Sequence, residues 1–352
     1  MFFQWGRCRT IVVMQLIEIT DSAVWDAFVN GSEWGHPLQL WGWGETKRSG
    51  RWTPHRLALV EGDTWQGAAQ VLEWRVPSLG RSFMYVPRGP VVEPGSEAAR
   101  GLLEAVVTWA KGRRALYVRI EPAWTTDAPG GKRWRRSRHM VQMSATYTID
   151  LTKSEDDLMA PMSHKHRQYI RKGERDGITV ERVTGSELAA MYWMYAETAQ
   201  RAHFGIHGQD YYERLARELG EHSYLYYAKH EDKPVAFLWL AAAGKTAYEL
   251  YGGVNMAGQE LKANYYLKWR AIMEMKAAGH ALYDFNGRVT EGVAQFKAGF
   301  GADSMDWIGT WDYPLSRTLY AAWEGLWPVA KPVGRWLAKA RQRPPRRKRR
   351  GV

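Results

Sequence analysis

The sequence holds one cysteine, Cys8, among 352 residues. A single thiol forms no internal disulfide and suits a reducing compartment. Apolar runs are short as well: none approaches the roughly 20 residues needed to cross a bilayer. The opening MFFQWGRCRTIVVM is interrupted by Arg7 and Arg9 and makes a poor signal peptide. A cytoplasmic protein is expected, its periodic sequence beginning at Met14, with residues 1–13 read as a start-site extension. The ten histidines lack metal-ligand spacing, and neither a Ser-His-Asp nor a Cys-His arrangement stands out. No metal and no nucleophilic triad are therefore expected. Acidic residues are scarce in one place. Of the net charge of +12, ten lysines and arginines with no acid fall in residues 331–352, which leaves +2 for the rest. The folded body is close to neutral. The tail RQRPPRRKRR is too polar and proline-broken to pack, and residues 336–352 are expected to be disordered.

What is present is a globular chain, 45% hydrophobic and with 19 tryptophans, long enough for two domains. From Met14 a strand and a short helix (Ser22 to Val29) lead to LQLWGWGETKRSGRW, an aromatic, glycine-rich segment holding Lys47. A hairpin follows, Arg56–Val60 and Trp65–Trp74 around Glu61-Gly62-Asp63. Phe83–Val86 reads as a strand, Leu102 to Ala110 as a helix, and Leu116–Ile120 as a strand. The same programme returns about 166 residues later. It comprises Tyr224–Ala228, Val235–Ala241, Glu249–Tyr251, the helix Asn264–Ala278 and the strand at Ala281–Asn286. A constant offset across five elements indicates an internal duplication. Two α/β (α+β) units with mixed sheets are expected, the first at 14–150 plus 303–335 and the second at 151–302. Between the copies, Thr148–Leu151 looks like a strand passing into the second unit. After them come a strand from Trp307 to Trp311 and a closing helix, Leu315 to Leu326, packed on the first unit.

Two segments carry candidate chemistry. Ser163–Arg175 is a basic helix whose Lys165, Arg167, Arg171, Lys172 and Arg175 form either a solvated face or a surface for nucleic-acid phosphates. The stretch Leu282 to Ala302, LYDFNGRVTEGVAQFKAGFGA, breaks at Asn286-Gly287. It then sets Lys297 between Phe296 and Phe300 and hems it with Gly299 and Gly301. Glycine lets the backbone come close to something, and an ammonium among rings is partly desolvated. The alternative is a lysine snorkelling from an ordinary amphipathic helix.

This last stretch resembles the C-terminal signature of the FemA/FemB/FemX aminoacyltransferases in Tyr283-Asp284-Phe285, Gly287, Phe296-Lys297 and Gly299-Phe300-Gly301. The similarity extends from Gln39 to about Tyr320 through WGETK (Trp43–Lys47), VPRGPVV (Val86–Val92), RIEP (Arg119–Pro122), the basic HRQYIRKGER helix and LYGG (Leu250–Gly253). The resemblance implies two tandem GNAT-like acyltransferase domains, in agreement with the repeat. With no long heptad run, the compact type without a coiled-coil arm is expected. It also implies transfer of glycine, alanine or serine from aminoacyl-tRNA to the stem peptide of a peptidoglycan precursor, soluble or lipid-linked, by a monomer. A GNAT fold ordinarily suggests acetyl-CoA, yet neither unit has the Q/R-x-x-G-x-G/A loop that would hold its pyrophosphate, so no cofactor is expected.

By resemblance, the precursor would meet Lys47, Arg201, Tyr211, Tyr251 and Phe296, and the basic helix would meet tRNA. Four positions before Tyr211, where the family often has a second basic residue, stands His207, a weaker anion contact when neutral. Aminolysis of an ester needs a free amine, a positioned carbonyl and stabilisation of the oxyanion. Lys297 suits the last role, or the anchoring of the tRNA end, as a mobile cation. Glu121 sits at an acidic position of the family, although a structural strand-end carboxylate is the favoured reading of it; no base is evident. Two other functions remain open, an N-acyltransferase for a polysaccharide or small amine and a non-catalytic RNA or membrane-surface binder. Trp323, Trp327 and Trp336, interleaved with Lys331, Arg335, Lys339 and the RRKRR cluster, suggest an interface with anionic headgroups.

Overall fold

The computed structural model describes residues 14–48, 50–184, 187–288 and 290–325. The chain enters as strand β1 (Met14–Glu18) and helix α1 (Ser22–Gly31), capped by Asp21, whose carboxylate accepts from the Ala23 and Val24 amides. Helix α2 (Trp41–Arg48) precedes a long hairpin, β2 (Trp52–Glu61) and β3 (Thr64–Val76). Strand β4 (Arg81–Arg88), helix α3 (Glu97–Gly112) and strand β5 (Ala115–Pro122) form a crossover. Helix α3 begins on the Ser96 cap and buries Leu102, Leu103, Val106 and Ala110 at helical spacing. Two further strands, β6 (Arg135–Arg136) and β7 (Ala145–Asp150), end this half.

The second half opens with helices α4 (Glu155–Met159) and α5 (His164–Arg175), strand β8 (Thr179–Val183), and helices α6 (Leu188–Ala202) and α7 (Gln209–Leu219). The hairpin recurs as β9 (Ser223–His230) and β10 (Lys233–Ala243), followed by β11 (Thr246–Val254). Helices α8 (Met256–Leu261) and α9 (Ala263–Ala277) lead to β12 (Leu282–Asp284) and helix α10 (Glu291–Ala298). Strands β13 (Asp303–Asp306) and β14 (Trp311–Pro314) come last, before a helix at residues 317–325.

The strands make two sheets of the same design, ordered β1-β2-β3-β4-β5-β14-β6 and β8-β9-β10-β11-β12-β7-β13. Every step matches in sense. The first four strands are antiparallel, the β4–β5 and β11–β12 steps are parallel, and the rest are antiparallel. The expected duplication is therefore present strand for strand. The sheets also exchange a strand: β7, from the first half, lies beside β12, and β14, from the end of the chain, lies beside β5.

That exchange changes two expectations. Strand pairing puts Ala145–Asp150 and Asp303–Asp306 in the second sheet, whereas the boundaries at 150 and 303 assigned both to the first unit. The strand read across Trp307–Trp311 is in fact a break. Gly309, at φ +82, turns the chain from β13 in one sheet to β14 in the other.

The halves share a core. Trp25, Val29, Leu38 and Trp43 pack in one buried cluster with Leu188, Tyr212, Trp239 and Tyr248. The 317–325 helix packs on the first sheet, as expected: Trp323 lies 4.5 Å from Phe83 between ring centres, and the Tyr320 hydroxyl donates to Asp312. Trp327, Trp336, Lys331, Arg335, Lys339 and the RRKRR cluster lie outside the described residues, as do residues 1–13.

Candidate functional site

The two sheets differ where their parallel strands end. In the first, β4 and β5 stay paired from Ser82 opposite Ala115 to Arg88 opposite Pro122. In the second, β11 and β12 pair only from Thr246 opposite Leu282 to Tyr248 opposite Asp284. Beyond that, Phe285 donates its amide to Tyr147 on β7, while β11 runs on beside β10 to Val254. A register slip at Trp239/Leu240 leaves Leu250 unopposed, a bulge in β11. The parted strands open a cavity of about 280 Å³ whose walls include Glu249, Tyr251, Lys268, Asn286, Phe296 and Lys297.

Lys297 sits in the last turn of α10, buried at 7% exposure. Its Nζ lies 2.6, 3.0 and 2.7 Å from the carbonyl oxygens of Phe285, Asn286 and Gly287, one acceptor for each ammonium N–H. The side chain expected to be mobile is thus tied at every donor and holds the turn after β12. Burial pushes its pKa down to about 8; Lys268 adds to this, while Glu249 and Asp284 oppose it. Across the cavity Glu249 is paired with Lys268, both 7% exposed, and accepts from the Tyr283 hydroxyl at 2.7 Å. Neither residue of this pair was singled out from the sequence. The signal available was a lone charge inside the apolar strand TAYELYGGV and a lysine among the rings of ANYYLKWRAIM, a helix buried on several sides.

The hemming glycines have a partner other than substrate. A Cβ on Gly299 would lie 2.0 Å from the His166 ring, and one on Gly301 would meet Pro161 at 2.7 Å. His166 donates from Nε2 to the Phe296 carbonyl (2.9 Å) while its Nδ1 accepts from Ser163 (2.7 Å). Burial lowers its pKa, which keeps the ring neutral. Phe296 packs on the same group, 5.0 Å from Tyr265 between ring centres.

Four of the residues marked by resemblance meet at the seam between the halves. Lys47, in the last turn of α2, donates to the Tyr211 hydroxyl on α7 at 2.6 Å and lies 4.2 Å from the centre of the Trp43 ring. His207 stacks on Tyr211 at 4.0 Å, and burial together with Lys47 lowers its pKa. Tyr251 adjoins them and lines the cavity; burial, with the Tyr211 hydroxyl beside it, raises its pKa well above the ordinary value. Glycine permits this docking: a Cβ on Gly42 would lie 1.9 Å from the Glu218 carbonyl of α7. Arg201 stands apart. It donates to the Val254 carbonyl at 2.8 Å and pairs with Glu197, one helical turn from the cavity wall at Thr198.

On the basic helix, Lys165, Arg171 and Arg175 are exposed, whereas Arg167 bonds the carbonyls of Ala160 and Met162 and Lys172 pairs with Asp176. Glu121 is saturated. It accepts from the Val141 and Gln142 amides and from the Tyr85 and Thr310 hydroxyls, which fits a structural carboxylate. No cluster of three metal-ligating side chains occurs among the described residues.

The FemAB family model matches residues 20–133, 130–233 and 228–326. The chain belongs to the FemAB family. It is 24% identical to a lipid II:glycine glycyltransferase of Staphylococcus saprophyticus over 90% of this chain and 96% of that protein. A Staphylococcus aureus protein of the same name is 29% identical over 71% of this chain and 59% of its own length. Among solved structures, FemX superposes with a TM-score of 0.80 at 22% identity, covering 88% of this chain and all of FemX. A tandem GNAT protein from the clavulanic acid pathway gives 0.51 at 11% identity over 86% and 99% of the two chains. The two sheets of this FemAB protein are accordingly two GNAT-like domains.

Proposed function

We propose that this FemAB protein moves an amino acid, glycine, alanine or serine, from aminoacyl-tRNA to the stem peptide of a peptidoglycan precursor and so builds the interpeptide bridge. The relatives named for glycine transfer to lipid II support the acceptor class. The observation that carries the reading is the cavity between β11 and β12, whose wall residue Tyr251 abuts the Lys47–Tyr211 seam. The aminoacyl end of the donor enters the cavity and the acceptor amine arrives from the seam. The amine attacks the ester carbonyl, a C–N bond forms, and the C–O bond to the ribose breaks. The amine proton passes to Glu249, the carboxylate in the cavity wall, which hands it on to the departing ribose oxygen. Holding both reactants in one pocket makes the step effectively unimolecular. Lys297 is a positioning residue that fixes the Phe285–Gly287 wall, and its unpaired charge favours the developing oxyanion.

The exposed Lys165 and Arg171, with Arg175, supply phosphate contacts to the tRNA, and the protein works as a monomer. The basic tail binds the anionic inner face of the membrane, at about 1 kcal/mol per cation near the surface. Co-sedimentation should show binding to anionic but not neutral vesicles, lost on removal of residues 333–352. The deciding assay offers charged tRNA and acyl-CoA with each precursor. Transfer of labelled amino acid from charged tRNA is expected, and transfer from acyl-CoA alone, or from neither donor, would overturn the assignment.

A further inference from the structure

The first domain holds a second cavity, about 230 Å³, on the other side of the Lys47 seam. Its wall is a shell of touching rings. Trp52 lies 6.0 Å from Trp74 and 6.1 Å from Tyr85, and Phe83 lies 5.4, 5.3 and 4.5 Å from Trp74, Tyr117 and Trp323. Three of the polar groups in this wall are taken up by the protein itself. Tyr85 donates to Glu121, Tyr117 shares a hydrogen bond with Trp323, and Arg119 is held by both oxygens of Asp312 and by Ser137. A sugar or base placed here would lose its water and find few partners, a cost hydrocarbon does not carry. Lys47 belongs to the same wall. Of its three N–H groups one is committed to Tyr211, which leaves charge and donors for an anion at the edge of the hydrocarbon. The lip is apolar: Val141 is 60% exposed and Met140 next to it 57%. In sequence, the helix that supplies Trp323 precedes the basic cluster.

We propose that this aromatic cavity binds the pyrophosphate-proximal isoprene units of a polyprenyl-pyrophosphate-linked acceptor, with Lys47 on the pyrophosphate. The proposal rests on the transferase reading above and makes the acceptor the lipid-linked precursor. A phospholipid fits less well. Its ester carbonyls stand between hydrocarbon and phosphate, whereas here the cation follows directly on the rings.

The test titrates the full-length protein by tryptophan fluorescence with farnesyl pyrophosphate, inorganic pyrophosphate and dihexanoyl phosphatidylglycerol. Farnesyl pyrophosphate should bind about tenfold or more tighter than either, and Val141→Asp, at an exposed position, should weaken it about tenfold at unchanged melting temperature, since a carboxylate at the lip opposes both hydrocarbon and phosphate. In turnover, the same variant should raise KM for the lipid-linked acceptor about tenfold more than for the nucleotide-linked one. Equal binding of the pyrophosphates, preference for phosphatidylglycerol, or indifference of the variant overturns the site. Binding is read without turnover, so loss of prenyl selectivity counts against this site alone. Absent transfer from charged tRNA with selectivity intact counts against the transferase reading alone.

Discussion

A buried ammonium with three carbonyl partners and no carboxylate in contact is expensive, and Lys297 is such a group. Replacing it with Met keeps the stem, removes the charge and strands three acceptors, at roughly 1–3 kcal/mol for each that stays buried. We expect Lys297→Met to melt lower yet fold, and to lose roughly 10²–10³ in kcat, the scale for removing one electrostatic contributor to an oxyanion. Unchanged turnover in the folded variant would remove Lys297 from the reaction. Its pKa of about 8 gives a second outcome. The ammonium is present below that pH and is lost as pH rises through it, so kcat/KM should fall along an alkaline limb near pH 8. The stability sign is the reverse of the usual lysine pair. The folded value lies below the ordinary 10.5, so the unfolded chain binds more protons between the two, and stability toward urea should rise with pH across that window. Lys297→Met should lack this slope. Lys297 was legible because its Phe and Gly neighbours are odd for a solvent lysine. Glu249 was not, because a lone glutamate in a strand reads as a residue turned to water, and only the parting of β11 from β12 puts it in a cavity wall.

At the scale of elements, the glycines after Lys297 were legible as a close approach, but what approaches was not. His166 arrives from α5, more than a hundred residues away, and no local pattern announces it. A methyl at Gly299 must displace a ring held by two hydrogen bonds, so Gly299→Ala should cost about 1–3 kcal/mol by overpacking. Gly292, inside α10, is exposed with nothing within 4 Å of a Cβ, and Gly292→Ala should stabilise by roughly 0.5–1 kcal/mol through helix propensity. Urea unfolding of the two variants checks both values. Equal effects would mean that the α5–α10 contact does not constrain the turn. The first glycine of α2 is explained in the same way: Gly42 lets α2 touch α7, which brings Lys47 to Tyr211.

For the whole molecule, the repeat could be read because each copy is continuous in sequence from hairpin to crossover helix. The exchange of β7 and β14 could not, since a strand's sequence carries its burial pattern and not the identity of its neighbour. The strand swap and the shared core around Trp25, Trp43, Tyr212 and Trp239 make the two domains one folding unit. Residues 14–152 alone would leave β5 without β14 and β7 without a sheet; residues 153–352 alone would leave β12 and β13 without β7. Each fragment then exposes unpaired backbone beside apolar faces, a surface that aggregates instead of folding. Expressed separately, neither fragment should show a cooperative melt. Mixed during refolding, they should form a one-to-one complex that melts as a single transition and regains transfer activity. A cooperative transition in either fragment alone would show that one sheet closes without the borrowed strand, and the coupling of the two halves would then rest on the Trp25 core alone.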